Sequence, residues 1–245
     1  MQYQGVLNKM QTEFGNPIQY YLAFKNSFLN FNQLLNKEIS IEFNGYECLH
    51  CGKEKKIFRQ GFCYDCFMSS AKVGDWIMRP ELSKAHLGIE DRDLAYEQKV
   101  QLQPHVVYLA VASDVKVGVT RKTQIPTRWI DQGASYAIPI VEVPNRYLAG
   151  ITEVHLKGLF TDKTNWRKML QNEIMAVDLM ELIQKTQKEL PEEIIPYFNN
   201  TNHEIINLEY PVEQYPSKVA SLNLGKTPMY TGKLIGINGQ YLIFE

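Results

Sequence analysis

Residues 105–121 read HVVYLAVASDVKVGVTR, which is two short apolar runs with a turn between them. The first run, residues 105–112, has the length and the β-branched content of a buried strand. Ser113-Asp114 is a turn-forming pair, and residues 115–119 have the pattern of a second short strand. The stretch therefore predicts a β-hairpin, and the elements on either side can be placed relative to it.

Helix and strand patterns alternate after this hairpin. Thr123 can cap a helix that carries Pro126 in its first turn, where proline is tolerated, and that helix ends near Gly133. Residues 137–143 have the pattern of a third strand, and about 146–159 that of a second helix. The order strand, strand, helix, strand, helix predicts an α+β layer.

Four cysteines lie within nineteen positions ahead of the hairpin. Cys48-Leu-His-Cys51 and Cys63-Tyr-Asp-Cys66 are two CxxC pairs separated by eleven residues. Two such turns can supply four thiolates to one tetrahedral zinc ion, which leaves no coordination position open for chemistry. The spacing predicts a structural zinc ribbon, and a redox dithiol pair is the alternative. His50, inside the first pair, is predicted to be a bystander.

The chain divides around these two segments into four predicted regions. They are an N-terminal region with the ribbon, a connector, a central domain, and an acidic C-terminal region, over residues 1–80, 81–104, 105–170 and 171–245. In the first region, residues 20–35 have apolar positions at helical spacing, and residues 39–43 alternate as a strand does. Residues 71–104 are expected to have little regular structure.

The C-terminal part mixes helical and strand patterns. After Asp162, helices are predicted over residues 166–176 and 177–188, with Pro191 as the stop. From His203 onward the pattern is that of short strands, over residues 205–208, 219–222, 233–237 and 241–244.

Composition limits the function classes. The 245 residues carry a net charge of −1, and no run of about 18 apolar residues exists, which predicts no membrane partner. The N-terminus lacks the apolar core of a signal peptide, so a cytoplasmic, reducing location is expected. Charge is uneven: residues 48–79 carry six Lys/Arg against three Asp/Glu, and residues 105–170 carry nine against five. This distribution permits a local anionic partner.

The loop between the two CxxC pairs is itself basic. It contains Lys53, Lys55, Lys56 and Arg59, with only Glu54 opposed to them. Such a loop either contacts the phosphates of a nucleic acid or is a plain solvated hairpin.

Four polar side chains lie in order on the predicted central elements. Tyr108 lies on the first strand, Lys116 on the second, Arg128 on the first helix and Glu153 on the second. Arginine presents a fixed fork of donors that suits phosphate, and a carboxylate is a hard ligand for Mg²⁺ or Mn²⁺. Taken singly, Tyr108 is interpreted as a core aromatic residue. Arg128 and Glu153 are interpreted as a surface ion pair that contributes less than about 1 kcal/mol to stability.

Taken in order, these motifs resemble the GIY-YIG nuclease superfamily. In that superfamily a tyrosine-ended strand pairs with a glycine-bearing strand, one helix presents an arginine and a later helix presents a glutamate. The resemblance implies a ββαβα fold in which Glu153 binds the catalytic metal, Arg128 holds the phosphate and Tyr108 positions or deprotonates the attacking water. There are two departures: the first motif reads Val-Val-Tyr108, and Lys116 replaces the second tyrosine.

The wider sequence is similar to a bacterial family of unknown function. The features that carry this similarity are the four-cysteine ribbon, Val-Tyr-Leu-Ala, Lys-Val-Gly-Val-Thr-Arg, Arg-Trp-Ile-Asp-Gln-Gly-Ala and a late Gly-Gln-Tyr-Leu-Ile.

Three functions follow as hypotheses. The first is a metal-dependent phosphodiesterase or endonuclease that acts on DNA or RNA through Tyr108, Lys116, Arg128 and Glu153. The second is a non-catalytic nucleic-acid-binding protein on the same fold, which the missing second tyrosine favours. The third is a protein-binding scaffold or regulator that uses the acidic C-terminal region.

Overall fold

The computed structural model describes residues 2–160, 164–199 and 204–245. Two positions used above as boundaries, Asp162 and His203, lie outside the described residues. The chain is a mixture of helices and strands, and the strands form three antiparallel sheets.

The N-terminal sheet is a meander of three short strands, β1 (Gln11–Glu13), β2 (Gln19–Ala23) and β3 (Phe28–Asn30). A 3₁₀ turn over Phe31–Leu34 follows it. The helical spacing expected across residues 20–35 is therefore wrong. A backbone hydrogen bond of 2.8 Å from Phe24 to Ser27 closes a turn in mid-segment, and burial along β2 alternates with period two.

The next elements are β4 (Glu38–Glu42), as the alternating pattern predicted, and α1 (Tyr64–Ser69), which follows the cysteine loop. Beyond them, the expectation of little regular structure in residues 71–104 is wrong. This segment contains α2 (Asp75–Met78), α3 (Leu94–Gln101) and 3₁₀ turns at Ala71–Val73, Pro80–Leu82 and Ala85–Leu87.

The regular structure of this segment depends on the buried Glu97. Its carboxylate accepts hydrogen bonds of 3.0, 2.7 and 3.0 Å from the backbone N–H groups of Asp91, Arg92 and Asp93. A carboxylate from within α3 thus holds the backbone of the charged run that precedes the helix, because it satisfies N–H groups that have no helical partner.

The central elements have the predicted order. They are β5 (His105–Val111), β6 (Val115–Arg121), α4 (Thr127–Asp131), β7 (Tyr136–Val143) and α5 (Arg146–Leu156). In the sheet, β5 lies between β6 and β7 and pairs antiparallel with both. Tyr108 is the register partner of Gly118, and Ala110 that of Lys116.

The C-terminal elements are α6 (Trp166–Leu170), α7 (Leu179–Lys188), β8 (Ile206–Asn207), β9 (Met229–Asn238) and β10 (Tyr241–Phe244). β8 extends the central sheet beside β7, and β9 lies between β10 and β4. The helix expected over residues 166–176 ends at Leu170, and residues 219–222 are not a strand.

Two large apolar clusters lie on opposite sides of β5. Val106, Tyr108 and Ala110 join side chains from the N-terminal sheet, α4 and β9. Val107, Leu109 and Val111 join side chains from β7, α5 and α7. The alternation follows from the period-two geometry of a strand buried on both faces. The N-terminal, central and C-terminal regions drawn from the sequence therefore contribute to a common core, and the boundaries of the regions stay a prediction.

Within the described part of the chain, no helix combines the length and the apolar character needed to cross a bilayer.

Candidate functional site

The four cysteines converge on one point. Their Sγ atoms all lie within 4.8 Å of one another. Regular tetrahedral zinc with Zn–S bonds of about 2.3 Å separates its sulfurs by about 3.8 Å, so the cluster fits a single ion of that kind. Cys48, Cys63 and Cys66 are buried and Cys51 is exposed. The prediction that these four residues come together is confirmed, and the group could hold a metal ion.

Local backbone geometry positions the sulfurs. Gly52 adopts a left-handed conformation (φ 65°) directly after the first pair, and its N–H donates to the Cys48 carbonyl at 2.9 Å. Cys63 precedes α1, and its N–H donates to the Cys48 Sγ at 3.3 Å. His50 stacks on the Phe62 ring at 5.7 Å and is not among the clustered ligands, as expected.

The thiols differ in acidity. Burial opposes ionisation of Cys48, but backbone N–H groups of Cys51, Cys63 and His50 lower its pKa to about 6. Burial and the neighbouring cysteines raise the pKa of Cys66 to about 12. Four thiolates so close together repel one another, so full ionisation of the cluster needs a cation at its centre.

Tyr108 is fully buried beneath the central site. Its hydroxyl donates to the Gln132 Oε1 at 2.9 Å, and its ring meets Trp129 edge-to-face at 5.7 Å. Burial raises its pKa to about 12, an effect that the Arg128 guanidinium opposes and the Glu153 carboxylate reinforces. The hydroxyl is therefore neutral at neutral pH, which suits a hydrogen-bond donor better than a base.

Gly118 provides the space that this tyrosine needs. A Cβ at position 118 would lie 2.6 Å from the Tyr108 Oη. The ring can cross β6 only because its register partner has no side chain.

Lys116 is nearly buried, with 6% of its surface exposed. Its Nζ donates to the Thr164 Oγ1 at 2.9 Å. Burial, and then the charge of Arg128, lower its pKa to about 8. At neutral pH it remains mostly a cation, and it lies within electrostatic reach of Arg128.

Glu153 lies on α5 with 12% of its side chain exposed, and Lys157 Nζ is 3.7 Å from its carboxylate. Arg128 is exposed at the surface of α4. Both charges act on the Tyr108 hydroxyl. The structure thus brings together all four candidate residues from β5, β6, α4 and α5.

Arg146 is a member of this group that the sequence analysis missed. Its guanidinium donates to the backbone carbonyls of Trp76 at 3.0 Å and Ile77 at 2.8 Å. Its pKa is lowered to about 10, first by burial. The sequence contained one indication that Arg146 belongs to the site: Arg146 and Glu153 are seven residues apart, which puts them on one face of a helix.

The family relationship is shown over most of the chain. A family model described as "Protein of unknown function (DUF2797)" matches residues 36–245. The chain belongs to this family. The matched range includes the four cysteines and all four candidate residues, and it leaves out the N-terminal sheet. No curated protein and no solved structure matches the chain.

The central group has an excess of positive charge. Arg121 and Arg128 both lower the pKa of Arg146, while Glu153 and Glu81 raise it. Lys116 adds a further buried cation beside Arg128. Cations that repel one another in a partly buried site gain stability when an anion lies between them.

Proposed function

We propose that this protein acts on nucleic acid, and that its central site binds the phosphodiester backbone and cleaves it with Mg²⁺ or Mn²⁺ held at Glu153. The observation that carries the proposal is a cluster of charges centred on Arg128: Arg128 and Glu153 both act on the Tyr108 hydroxyl, and the charge of Arg128 also acts on Lys116 and Arg146.

Each side chain has a role that its surroundings support. Arg128 is exposed, so its fork of donors is available to a phosphate from solution. Arg146 is held by two backbone carbonyls, and it can add positive charge without rearranging. To orient a water or a phosphate oxygen as a neutral donor, the buried Tyr108 hydroxyl would exchange its hydrogen bond to Gln132 for that partner.

The metal requirement rests on Glu153. It is a hard oxygen ligand of the kind that Mg²⁺ and Mn²⁺ prefer, and a single carboxylate leaves most of the ion's shell to water. Such an ion neutralises charge that develops on the phosphate during cleavage. Lys157 is the C-cap residue of α5, four positions after Glu153, where its charge favours ionised Glu153.

We propose zinc as the ion of the cysteine cluster, in a structural role. Four thiolates are the donor set of closed zinc sites, and they leave no position for a substrate. The positive loop between the two pairs would then be a preformed contact for nucleic acid.

A binding protein without catalysis is the second candidate, and one observation favours it. Lys116 takes the place of the second tyrosine of the GIY-YIG pattern, and its amine is engaged by Thr164 rather than directed at a substrate. On this hypothesis the same cations hold the phosphodiester backbone, and Glu153 serves only to balance charge.

Cleavage of labelled DNA and RNA, including structured RNA, with Mg²⁺ or Mn²⁺ tests the proposal. Glu153→Gln and Arg128→Ala should each reduce the cleavage rate by about 100-fold or more, because the first removes the ligand of the metal and the second removes a positive charge that stabilises the transition state. Glu142→Gln is the matched control, since Glu142 is an exposed acid paired with Lys122 outside the group. Zinc content and unfolding temperature should be the same in all variants.

The outcomes separate the candidates. Metal-dependent cleavage that only the two site variants lose supports the nuclease. Salt-sensitive binding without cleavage of any substrate supports the non-catalytic binder. The absence of both would overturn the proposal and favour the protein-binding scaffold.

A further inference from the structure

We propose that an exposed aromatic surface on the cysteine ribbon binds the unpaired bases of single-stranded nucleic acid. This inference rests on the proposed function and names the class of substrate. The surface, called here the ribbon aromatic face, consists of Phe58, Tyr64 and Phe67 together with Arg59.

Two large aromatic side chains on this face are exposed to solvent. Phe58 is 47% exposed and Tyr64 is 59% exposed. Phe58 meets Tyr64 edge-to-face at 5.2 Å and meets Phe67 edge-to-face at 5.2 Å. The rings support one another while an outer ring surface remains in water. Contiguous exposed apolar surface of this kind marks a contact site in soluble proteins.

The rings are held by the framework of the metal cluster. Phe58 lies in a hairpin closed by its N–H to the Phe62 carbonyl at 2.8 Å. Tyr64 and Phe67 lie on α1, between and after the second pair of cysteines. Because both supports carry or adjoin metal ligands, the face is fixed before any partner arrives, which lowers the entropy cost of binding.

Positive charge accompanies the rings. The Arg59 guanidinium lies 5.5 Å from the centre of the Phe58 ring. Among the described residues, neither Arg59 nor the exposed Lys56 has an ion pair. Lys55 is different, since its Nζ is 2.7 Å from Asp65. Glu54 is the exposed acid on the same loop. Arg59 beside an exposed ring, with the exposed Lys56 on the same loop, suits a chain that alternates phosphates and bases.

Single strands fit this face better than duplexes. An aromatic side chain can stack on any base that is free of its own stack, whereas bases in a duplex present only their edges. A protein partner would also meet exposed rings, but it would not account for the accompanying cations.

The ribbon is joined firmly to the central site. The Nη1 atom of Arg92 donates to the backbone carbonyls of Phe67 and Ser70 at the end of α1, at 2.9 Å each. The segment that follows packs its Pro80–Leu82 turn against α5 at Gly150. A strand held on the ribbon would therefore be held by a body fixed to the helix that carries Glu153.

Fluorescence anisotropy with a labelled single strand and its duplex tests the inference. Phe58→Leu and Tyr64→Leu keep apolar volume but remove the ring. Each should weaken single-strand binding by about fivefold or more, with an unchanged salt dependence. Phe58→Tyr should restore the affinity of the wild-type protein. Arg59→Gln should instead lower the salt slope by about 0.7.

Phe28→Leu is the matched control, because Phe28 is 66% exposed and meets Tyr21 edge-to-face at 5.8 Å in a different sheet. The Phe28→Leu variant should bind the single strand with the affinity of the wild-type protein. Zinc content, measured in every variant, shows that the ribbon is intact.

Unchanged affinity in both leucine variants, or equal losses on single strand and duplex, would overturn this inference. If Arg128→Ala still weakened binding in that case, the central site would stand without the ribbon aromatic face. If the wild-type protein bound neither probe, the proposed function would fail with it.

Discussion

At the scale of the residue, the central site depends on a tyrosine that can be buried because its neighbour is a glycine. Tyr108 crosses the position of Gly118, and its hydroxyl reaches Gln132. Burial keeps the hydroxyl protonated at neutral pH and leaves Arg128 and Glu153 as the charged groups around it. This arrangement separates a neutral donor from the charges that would bind phosphate and metal.

His105 predicts how stability depends on pH. It is fully buried, its Nδ1 is 2.7 Å from the Gln103 carbonyl, and its Nε2 has no partner among the described residues. Burial, with Arg146 and Arg121, lowers its pKa from 6.5 to about 4. The unfolded chain therefore binds a proton below 6.5 that the folded protein does not take up until about 4.

The free energy of unfolding should fall between these two pH values as the pH is lowered, by up to about 3 kcal/mol from this residue. His105→Asn keeps a donor near Gln103 but does not titrate, so urea unfolding of this variant should show a shallower fall. His155→Asn, at an exposed position, should follow the wild type. If the free energy of unfolding varied with pH in the same way in the wild type and in His105→Asn, His105 would not be the source of the pH dependence.

At the scale of the element, α5 is the helix on which the site is assembled. It carries Glu153 and Arg146, and it packs against the Pro80–Leu82 turn. The absence of a side chain at Gly150 lets the backbone of Pro80 and Glu81 approach the helix. The same region supplies the Trp76 and Ile77 carbonyls that hold Arg146.

Gly150→Ala should destabilise the protein although alanine favours helix. The new Cβ would overlap the backbone at Pro80 and Glu81, where nothing flexible can yield. Overpacking of about 1–3 kcal/mol should exceed the gain in helix propensity of up to about 1 kcal/mol.

Thermal and urea unfolding check this expectation, with Gly158→Ala as the control. A Cβ at position 158 would meet only the His155 carbonyl oxygen, at 3.6 Å, so this variant should stay within about 0.5 kcal/mol of wild type. A Gly150→Ala protein as stable as the control would mean that the contact between α5 and the turn is looser than described.

At the scale of the whole molecule, the ribbon and the sheets are stabilised separately. The buried cysteines contact Ile57 and Phe62 and belong to neither large apolar cluster. The clusters on the two sides of β5 instead join the N-terminal, central and C-terminal segments. Loss of the metal should therefore affect one part of the chain.

A strong chelator should unfold the ribbon and leave the central sheet folded. Hydrogen exchange measured by mass spectrometry should show loss of protection over residues 48–70 and retention over residues 105–143. Added zinc should restore the protection, because the ion contributes folding free energy directly in such sites. Exchange that rises together in both segments would show that the sheets also depend on the metal.

Local patterns in the sequence were enough to predict that the four cysteines come together, and to predict the order of elements from β5 to α5. Four ligands within nineteen positions need only two tight turns, and strand or helix periodicity depends on neighbouring residues. Pairing of β4 with β9 was decided by tertiary structure, since it joins Ser40 to Thr231 across 191 positions.

The prediction of a helical pattern over residues 20–35 and that of an irregular segment over residues 71–104 were wrong because local sequence does not show tertiary contacts. Aromatic spacing fits both a helix and a meander, and Glu97 looks like a surface charge until its backbone partners are known. The contribution of Arg146 likewise depends on carbonyls seventy positions away, which no local pattern contains.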